Sequence, residues 1–443
     1  RLYVGGAFTS LHGRPRAGLA RLLPDGRIDE SFSPTHFPDG PVVALAILTD
    51  GGILAAGDFQ RAGGPDGHPR AGLAAFDQAG GLRPEFGAGL GPRRWQASES
   101  RFAPAVDEPG SIAALTALPD GGILAAGNFR TFDDLSRPGL VRLQPDGTVD
   151  RAWVPALSAL LLPSDPFLPP RRPLGRSLDP AWTGVRTDEL GRVWVWNRET
   201  LRSTRLLADG RADTGLAHPG QVTTILPQTG GAFWVGRRTQ APIQPARTAR
   251  SDWLSVSRYQ PDGQLDPAFQ VRDVPPRMVD VAEVLHLAQD TDGRLWVVVD
   301  LGPWAVNAPR ASVLLRLQAD GRLDGSFPPV ETATGRIRAL AATDSQAWLA
   351  GEFREAGGES RRHLAQVTGS GLAGTLRLGW HRGSDGSLNL LLPGNTEVPW
   401  RLEQSPDLKT WSPGETSWPD AHRLLPVSLS PGSTGWYRLV EVP

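Results

Sequence analysis

Residues 42–86 read VVALAILTDGGILAAGDFQRAGGPDGHPRAGLAAFDQAGGLRPEF, and residues 112–153 read IAALTALPDGGILAAGNFRTFDDLSRPGLVRLQPDGTVDRAW. In both stretches an apolar run leads into Asp-Gly, and a second apolar run follows and ends in Ala-Ala-Gly, an acid or amide, and Phe. An Asp-Gly pair between two apolar runs is a strong signal for a β-hairpin, because its tight turn needs positive φ at both central residues. Both stretches therefore predict short antiparallel strands joined by tight turns.

The same unit recurs along the first 370 residues. Aligned on the glycine of Ala-Ala-Gly, seven copies have their anchor position at Gly6, Gly57, Gly127, Asn197, Gly236, Val299 and Gly351. Three positions before the anchor every copy has a large apolar residue, namely Tyr3, Leu54, Leu124, Trp194, Phe233, Trp296 and Trp348. The two positions between are small or apolar as well, and a strand without polar alternation is buried on both faces. We therefore expect the second strand of each unit to lie between two neighbouring sheets.

A third strand in each unit ends in another turn, and a fourth is expected to carry Asp and an aromatic residue three positions apart. These pairs are Asp29 with Phe32, Asp150 with Trp153, Asp266 with Phe269, and Asp324 with Phe327. Four-stranded antiparallel units that are buried on both faces pack radially as propeller blades. The sequence predicts an all-β, seven-bladed β-propeller over residues 1–374. A parallel β-helix is the competing architecture, but its coils do not carry paired Asp-Gly hairpin turns.

The first copy lacks its opening strand, which predicts further residues upstream and leaves room for one more blade. The strings that recur most closely are AAGDF at 55–59, AAGNF at 125–129, VGGAF at 4–8, AGEF at 350–353, and those that begin with Asp-Gly, such as DGRIDESF from Asp25. These strings resemble the delta-60 repeat family of bacterial surface and secreted proteins. The resemblance implies a propeller and supplies no catalytic site. Copies four and five depart from the repeat: Asn197 replaces the anchor glycine, and Arg198 and Arg238 stand where Asp and Phe are expected.

Residues 375–443 are predicted to form a second, smaller domain. Five alternating segments, 376–380, 387–392, 399–404, 422–429 and 435–440, predict a small β-sandwich. The string WRLEQSPDLKTW at 400–411 and the later WYRL at 436–439 resemble the C-terminal β-sandwich module of many large exported bacterial proteins. The resemblance implies an extracellular or cell-surface protein, exported by a signal segment outside this chain. We interpret Trp400 and Trp411 as core residues of this domain rather than a glycan platform.

Composition narrows the function classes. The 443 residues include 46 basic and 47 acidic side chains for a net charge of −1, which argues against a general nucleic-acid binder. The chain has no cysteine, so disulfides, thiolate catalysis and cysteine-based zinc sites are excluded. No run of 18 apolar residues occurs, so no membrane-spanning helix is predicted.

Motifs for catalysis, metals and nucleotides are absent from the sequence. The eight histidines form no metal-binding spacing, and neither a G-x-S-x-G motif nor a phosphate-binding loop occurs. We predict no cofactor. The recurrent Asp-Gly-x-x-Asp could suit calcium, but two carboxylates fall short of the six to eight oxygens that calcium takes, and Asp before Gly is ordinary turn chemistry.

The candidate binding residues lie in long loops. In an up-and-down blade the Asp-Gly turns lie on one face, while the links between blades and the connections between strands two and three lie on the other, here called the insertion face. The long insertions 60–70, 88–110, 155–181, 237–252 and 301–311 all fall on the insertion face. The predicted ligand-binding residues there are Arg93, Arg94, Trp95, Arg101, Arg171, Arg172, Arg237, Arg238, Trp304 and Arg310. Arginine and exposed aromatic rings favour an anionic, carboxylated or sulfated polysaccharide.

A competing interpretation is that arginines recur because the fold needs them, as at the start of strand three. The residues concerned are Arg16, Arg70, Arg137 and Arg361. On balance we expect a non-enzymatic extracellular propeller that binds an anionic polysaccharide or a surface protein. A structural subunit of a surface assembly or filament, and a glycan-active enzyme with its site on the insertion face, remain the alternatives.

Overall fold

The computed structural model describes residues 1–11, 13–34, 36–62, 67–87, 89–96, 106–157, 181–216, 219–238, 255–274, 283–301, 311–332, 335–343 and 346–368, together with the strands after residue 370. For residues 95–96, 106–107 and those after 370 it describes the backbone alone. The chain divides into two compact units, Arg1–Gly371 and Leu372–Pro443.

Each repeat copy forms its own antiparallel sheet, and the sheets are numbered 1 to 7 in chain order. Sheet 1 has the strands Leu2–Gly5 and Leu19–Leu22; sheet 2 has Val42–Ile47, Ile53–Gly57 and Leu73–Phe76; sheet 3 has Ser111–Ala117, Ile123–Asn128 and Leu140–Leu143; sheet 4 has Gly184–Thr187, Val193–Asn197 and Arg202–Leu206. Sheet 5 has Thr224–Pro227, Phe233–Gly236 and Val256–Tyr259; sheet 6 has Glu283–Gln289, Leu295–Asp300, Ser312–Leu317 and Val330–Glu331; sheet 7 has Ile337–Ala342, Gln346–Gly351, Leu364–Thr368 and Gly371–Leu372.

The second strands of sheets 2 to 6 are buried on both faces, as sheet 2 shows. Every residue of Ile53–Gly57 is buried. Ile53 and Ala55 pack in one core cluster with Leu19 and other residues of sheet 1, whereas Leu54 packs in another cluster with residues of sheet 3. Successive side chains of a strand point to opposite faces, so each apolar face meets a different sheet. The predicted burial on both faces is confirmed for the second strands of sheets 2 to 6, whereas those of sheets 1 and 7, Leu2–Gly5 and Gln346–Gly351, are only partly buried.

The first strands, here called the inner strands, contact one another from sheet to sheet. The first strand of each sheet contacts the first strand of the next, from sheet 2 through sheet 7, and Val42–Ile47 also contacts Leu2–Gly5 of sheet 1. Side chains of neighbouring sheets that are far apart in the chain are therefore brought close together along these strands.

Aspartate and glycine make the tight turns between strands one and two. Gly51 has φ +80°, in the left-handed region that favours glycine, and its amide donates to the carbonyl of Leu48 at 2.9 Å. The Asp50 carboxylate accepts the Gly52 amide at 2.9 Å, and this hydrogen bond lowers the pKa of Asp50. Sheet 5 departs from the pattern, because a short 3₁₀ turn, Thr229–Gly231, replaces Asp-Gly.

The expectation of a full fourth strand at the Asp-x-x-Phe segments is wrong. In sheets 1, 3, 5 and 6 that segment adds one isolated bridge to its own sheet, such as Leu22 with Ile28 and Leu317 with Leu323, and the corresponding segments of sheets 2 and 4 do the same. The Phe32 amide donates to the Asp29 carbonyl at 3.1 Å, so the chain turns immediately after the bridge. Among the described residues, true fourth strands occur only in sheets 6 and 7, and in sheet 6 the strand lies after the motif, at Val330–Glu331.

The links between sheets meet the connections between strands two and three, as the assignment to one insertion face predicted. Isolated bridges join Pro38 with Ala62 and Thr332 with Ala356. Four connections form small hairpins of their own: Ser10–Leu11 with Arg14–Pro15, Arg61–Ala62 with His68–Pro69, Thr131–Phe132 with Leu135–Ser136, and Glu355–Ala356 with Glu359–Ser360. The link at 88–110 contains a further hairpin, Pro92–Gln96 with Val106–Pro109, which pairs with Thr131–Phe132.

The second unit contains two three-stranded antiparallel sheets. One has the order Gly379–Arg382, Leu388–Leu391, Leu424–Val427, and the other the order Ser412–Ser417, Trp400–Ser405, Trp436–Glu441. Each of the five predicted strands overlaps one of these. Ser412–Ser417 was missed because it contains Pro and Gly, which an edge strand tolerates. Among the residues that the structure describes, no helix is long and apolar enough to cross a membrane.

Candidate functional site

Most arginines of the repeat hold the scaffold together. In five sheets the arginine on strand three pairs with an aspartate eight residues later. The pairs are Arg21–Asp29 at 2.8 Å, Arg142–Asp150 at 3.5 Å, Arg205–Asp213 at 2.7 Å, Arg258–Asp266 at 2.6 Å and Arg316–Asp324 at 2.6 Å. Four of these guanidinium groups also lie over aromatic rings, as Arg316 does over Trp296 with 5.0 Å to the ring centroid. Arg205 and Arg258 also reach the next sheet, where they donate to the carbonyls of Pro261 and Ala319 at 3.3 Å.

The arginines at the start of strand three are structural too. Arg70 is buried and donates to the carbonyls of Pro69 at 2.7 Å and Pro84 at 3.1 Å. Arg137 is also buried, and its guanidinium donates to the carbonyl of Ser136 at 2.9 Å. For these positions the interpretation that the fold needs the arginine is confirmed.

The predicted ligand-binding residues separate into three groups. Arg101, Arg171, Arg172, Trp304 and Arg310 lie outside the described residues. Arg93, Arg94 and Trp95 lie in the hairpin strand Pro92–Gln96, where Arg94 pairs with Glu108 at 3.0 Å and Arg93 also has an interaction partner. Arg237 and Arg238 follow the second strand of sheet 5.

The two sheet 5 arginines face different surroundings. Arg237 donates to the Ser257 hydroxyl at 2.9 Å and the Pro219 carbonyl at 2.8 Å, and lies over the Tyr259 ring. Arg238 is exposed and pairs with Glu283 of sheet 6 at 3.2 Å. Arg237 is therefore tied to its own sheet, while Arg238 belongs to a charged cluster between sheets.

That cluster, here called the arginine cluster, joins residues of sheets 4 to 7 at the inner strands. Its members are Arg186 and Arg198 of sheet 4, Arg238 of sheet 5, Glu283, His286 and Asp300 of sheet 6, and Arg336, Arg338 and Glu352 of sheet 7. Five arginines thus face three carboxylates. The local charge is positive although the whole chain is almost neutral.

Residues that differ from the repeat pattern help to position the arginine cluster. Asn197 holds the turn after the second strand of sheet 4: its side-chain oxygen accepts the Thr200 amide at 2.7 Å and its amide group donates to the Ala181 carbonyl. The Arg198 amide donates to the Thr183 hydroxyl at 2.9 Å. Arg338 lies where the register shifts between Ile337 and Ala339, a β-bulge that re-aims a side chain.

The carboxylates of the arginine cluster do not pair with all of its arginines. Arg336 pairs with Asp300, which is only 2% exposed, and Arg338 donates to Glu352 at 2.8 Å. Arg198 lies 3.9 Å from Glu283, and its buried Nε has no hydrogen-bond partner. Arg186 has no hydrogen bond or ion pair with any residue that the structure describes.

Burial lowers the pKa values of several groups in the arginine cluster. Arg186 is reached by water, but the surrounding protein desolvates it and lowers its pKa, as happens also to Arg198. For His286 desolvation is the largest cause, and the charges of Arg198 and Arg186 add to it, so its pKa falls to about 3. His286 is therefore neutral at pH 7, and the positive charge comes from arginine alone.

Sequence reasoning included Arg238 but missed the other members. The sequence did contain one indication, because Asn197 and Arg198 differ from the residues that the repeat has at these positions. That difference was interpreted only as divergence of the fourth copy. Arg186 and His286 gave no signal, because both lie on first strands outside the long insertions and neither belongs to a recognised motif.

One protein family matches two parts of the chain. The family described as "Domain of unknown function (DUF5122) beta-propeller" matches residues 1–32 and 118–152. The chain contains a β-propeller domain. A solved structure named "Glycoside hydrolase" is similar over 93% of this chain and 95% of its own, at 11% sequence identity and a TM-score of 0.27. No curated protein matches the chain.

The turn carboxylates of the propeller domain are engaged by the backbone. Asp262 accepts the Gln264 amide at 2.9 Å, and Asp266 accepts the Ala268 amide at 2.9 Å. No group of three or more histidine or carboxylate side chains that could hold a metal occurs within the described ranges. The Asp-Gly-x-x-Asp segments thus serve as turns.

Proposed function

We propose that this chain is a non-enzymatic, extracellular binding propeller of seven blades, and that its arginine cluster binds the carboxylate or sulfate groups of an anionic polysaccharide. The observation that carries the proposal is Arg186, an exposed guanidinium whose charge acts on His286 and which has no hydrogen bond or ion pair within the described part of the chain. An exposed guanidinium without a carboxylate partner is available to bind an anion through charge-assisted hydrogen bonds.

The geometry of arginine suits this ligand. Its planar guanidinium binds a carboxylate or sulfate through two parallel hydrogen bonds, and such charge-assisted bonds are about twice as strong as neutral ones. Partial burial strengthens the attraction, because the effective dielectric constant is lower than in bulk water. Neutral His286 can donate or accept one further hydrogen bond without repelling an anion.

The carboxylates of the cluster support binding rather than glycoside hydrolysis. Glu283 and Asp300 lie directly opposite each other in the register of sheet 6, where a pair of acids could in principle act on a glycosidic bond. Arg336 holds Asp300, however, and Arg238 and Arg198 hold Glu283. A general acid has to reach the leaving oxygen, and Asp300 is almost fully buried.

Contacts between the first and last copies support a closed ring of seven blades. The Gln366 side chain of sheet 7 donates to the Pro24 carbonyl of the first copy at 3.0 Å. Trp348 of sheet 7 also lies against Gly26, since a Cβ placed there would be 3.2 Å from its ring. In such a ring the inner strands surround a central channel, and the arginine cluster would line its end on the insertion face.

Binding assays with defined polysaccharides test the proposed function. Oligogalacturonate carries carboxylates, heparin fragments carry sulfates, and a neutral dextran of similar length is the reference. We expect one or both anions to bind with an affinity that falls as salt rises, and Arg186→Gln to weaken binding about tenfold, since one charge-assisted hydrogen bond contributes about 1.5–3 kcal/mol.

A matched control separates the cluster from general surface charge. Arg27 lies in an exposed Asp-Gly turn and pairs with Asp25 at 2.7 Å. Arg27→Gln should leave the affinity unchanged. Equal binding of wild type and Arg186→Gln, or no preference for the anions over dextran, would contradict the proposal.

A further inference from the structure

Two histidines lie side by side on the insertion face, although they are 32 residues apart in the chain, at His36 and His68. His36 belongs to the link between sheets 1 and 2, and His68 to the small hairpin between the second and third strands of sheet 2. The centroids of their rings are 5.8 Å apart, and the ring planes are tilted by 58° to each other. His36 is half-buried and His68 is exposed, so the pair is open to solvent.

Backbone contacts hold the link and the hairpin together beneath the two rings. Pro38 of the link forms a bridge with Ala62 of the hairpin, and Ala62 lies directly opposite His68 in the hairpin register. The Asp39 amide donates to the Arg61 carbonyl, and the Arg61 amide donates to the Asp39 carboxylate, both at 3.0 Å. The backbone positions that carry the rings are therefore fixed before any ligand binds, which lowers the entropic cost of binding.

The other copies of the repeat show that the fold does not need histidine at either position. His68 starts the second strand of its small hairpin, and the residues that start this strand in the other three small hairpins are Arg14, Leu135 and Glu359. Thr332 forms the same bridge in the link between sheets 6 and 7 that Pro38 forms in the link between sheets 1 and 2. Two positions before Thr332 stands Val330, at the place that corresponds to His36.

We propose that His36 and His68 bind one divalent transition-metal ion, with one ring nitrogen of each histidine as a ligand. Two imidazoles on one zinc ion, with metal–nitrogen distances of about 2.0–2.1 Å, have ring centroids about 5–6 Å apart. The observed separation of 5.8 Å lies in this range. The second nitrogen of each ring can keep a hydrogen-bond partner of its own, as is usual for metal-binding histidines.

The two ligands determine the class of metal. Imidazole nitrogen suits copper, nickel and zinc, whereas calcium and magnesium take oxygen ligands. Among divalent ions of the first transition row, Cu²⁺ binds such nitrogen sites most tightly. Two protein ligands leave further positions on the ion for water or for a donor group of a bound molecule.

Titration of the full chain with Cu²⁺ tests this proposal. Isothermal titration calorimetry of the wild type is compared with that of His36→Ala and of His68→Ala. We expect each substitution to weaken Cu²⁺ binding about tenfold or more, because each removes one of the two ligands. Pulsed electron paramagnetic resonance of the protein with one equivalent of Cu²⁺ should show two coordinated imidazoles in the wild type and one in each variant.

The matched control is a third exposed histidine, His363, whose Nδ1 lies 3.0 Å from the Gly351 carbonyl oxygen. Its φ is +66°, and glycine stands at the corresponding positions 18, 72 and 139, so His363→Gly removes an imidazole without backbone strain. This variant should bind Cu²⁺ as tightly as the wild type does. Unchanged affinity in both alanine variants, an equal loss in His363→Gly, or a wild-type spectrum with fewer than two imidazoles would overturn the proposal.

Discussion

Sheets 3 and 4 are neighbours with the same topology, but their arginines do different things. In sheet 3, which follows the repeat closely, Arg137 and Arg142 bond to the carbonyls and carboxylates of the scaffold. In sheet 4, Arg205 keeps the scaffold role, while Arg186 and Arg198 stand outside the repeat pattern and join the arginine cluster. The comparison teaches that conformity to a repeat marks structural residues, and departure from it marks candidates for binding.

The largest expected effect comes from breaking a scaffold pair. Arg316 and Asp324 are 3% and 2% exposed, so Asp324→Ala leaves an uncompensated buried guanidinium. We expect a loss of about 3–5 kcal/mol in the free energy of unfolding, measured by urea denaturation. Asp320→Ala in the neighbouring exposed turn should cost far less, and an equal loss in both variants would contradict the scaffold role.

The next largest loss of stability is expected from substitutions in the buried second strands. Leu124 is fully buried in the core between sheets 3 and 4, so Leu124→Ala should cost about 2–5 kcal/mol. Val43, on the inner strand of sheet 2, is 52% exposed, and Val43→Ala should stay within about 0.5 kcal/mol. Thermal unfolding followed by near-ultraviolet circular dichroism compares the two variants, and similar losses would refute burial on both faces.

Acid should destabilise the propeller through the same aspartates. A hydrogen bond from the Ser31 hydroxyl lowers the pKa of Asp29, and one from the Ala268 amide lowers the pKa of Asp266, both from 3.8. A carboxyl whose folded pKa is depressed stabilises the fold above its unfolded pKa, and that contribution is lost as pH falls through the folded value. The Tm should therefore be flat above about pH 5 and fall below about pH 4.

The variant Asp266→Asn tests whether this one aspartate contributes to the predicted loss of stability in acid. The variant should start from a lower Tm at pH 7 and lose less on acidification, because one of the titrating groups is gone. A Tm profile parallel to that of the wild type would show that Asp266 does not contribute.

The smallest effect is expected from removing the second unit. Residues 375–443 follow the last strand of sheet 7, and the two units are separately compact. A chain ending at residue 374 should keep the Tm of the propeller domain within a few degrees, as measured by differential scanning calorimetry. Loss of cooperative unfolding would contradict the predicted domain boundary.

Sequence reasoning succeeded where local chemistry decides the structure. The Asp-Gly turns and the unbroken apolar runs such as 53–57 specify hairpins and burial within a few residues of chain. The fourth strand failed because Asp29 and its counterparts accept hydrogen bonds from their own turn and from arginine, which bends the chain after one bridge.

The arginine cluster could not be predicted because its members are up to 166 residues apart, from Arg186 to Glu352. Only the packing of four sheets around their inner strands brings them together. The predictions at Arg94 and Arg237 relied on loop position alone, which does not reveal that Arg94 pairs with Glu108 or that Arg237 bonds to Ser257.

The most direct test of the account compares two arginines of sheet 4, Arg205 and Arg198, by measuring Tm and oligogalacturonate affinity for both glutamine variants. Arg205 pairs with Asp213 and lies over Trp194, so Arg205→Gln should lower the Tm by several degrees and leave the affinity of the folded protein unchanged. Arg198→Gln should weaken binding about tenfold and leave the Tm nearly unchanged. The reverse result, in which Arg198→Gln melts early and still binds while Arg205→Gln stays stable, would contradict the division between scaffold and binding arginines.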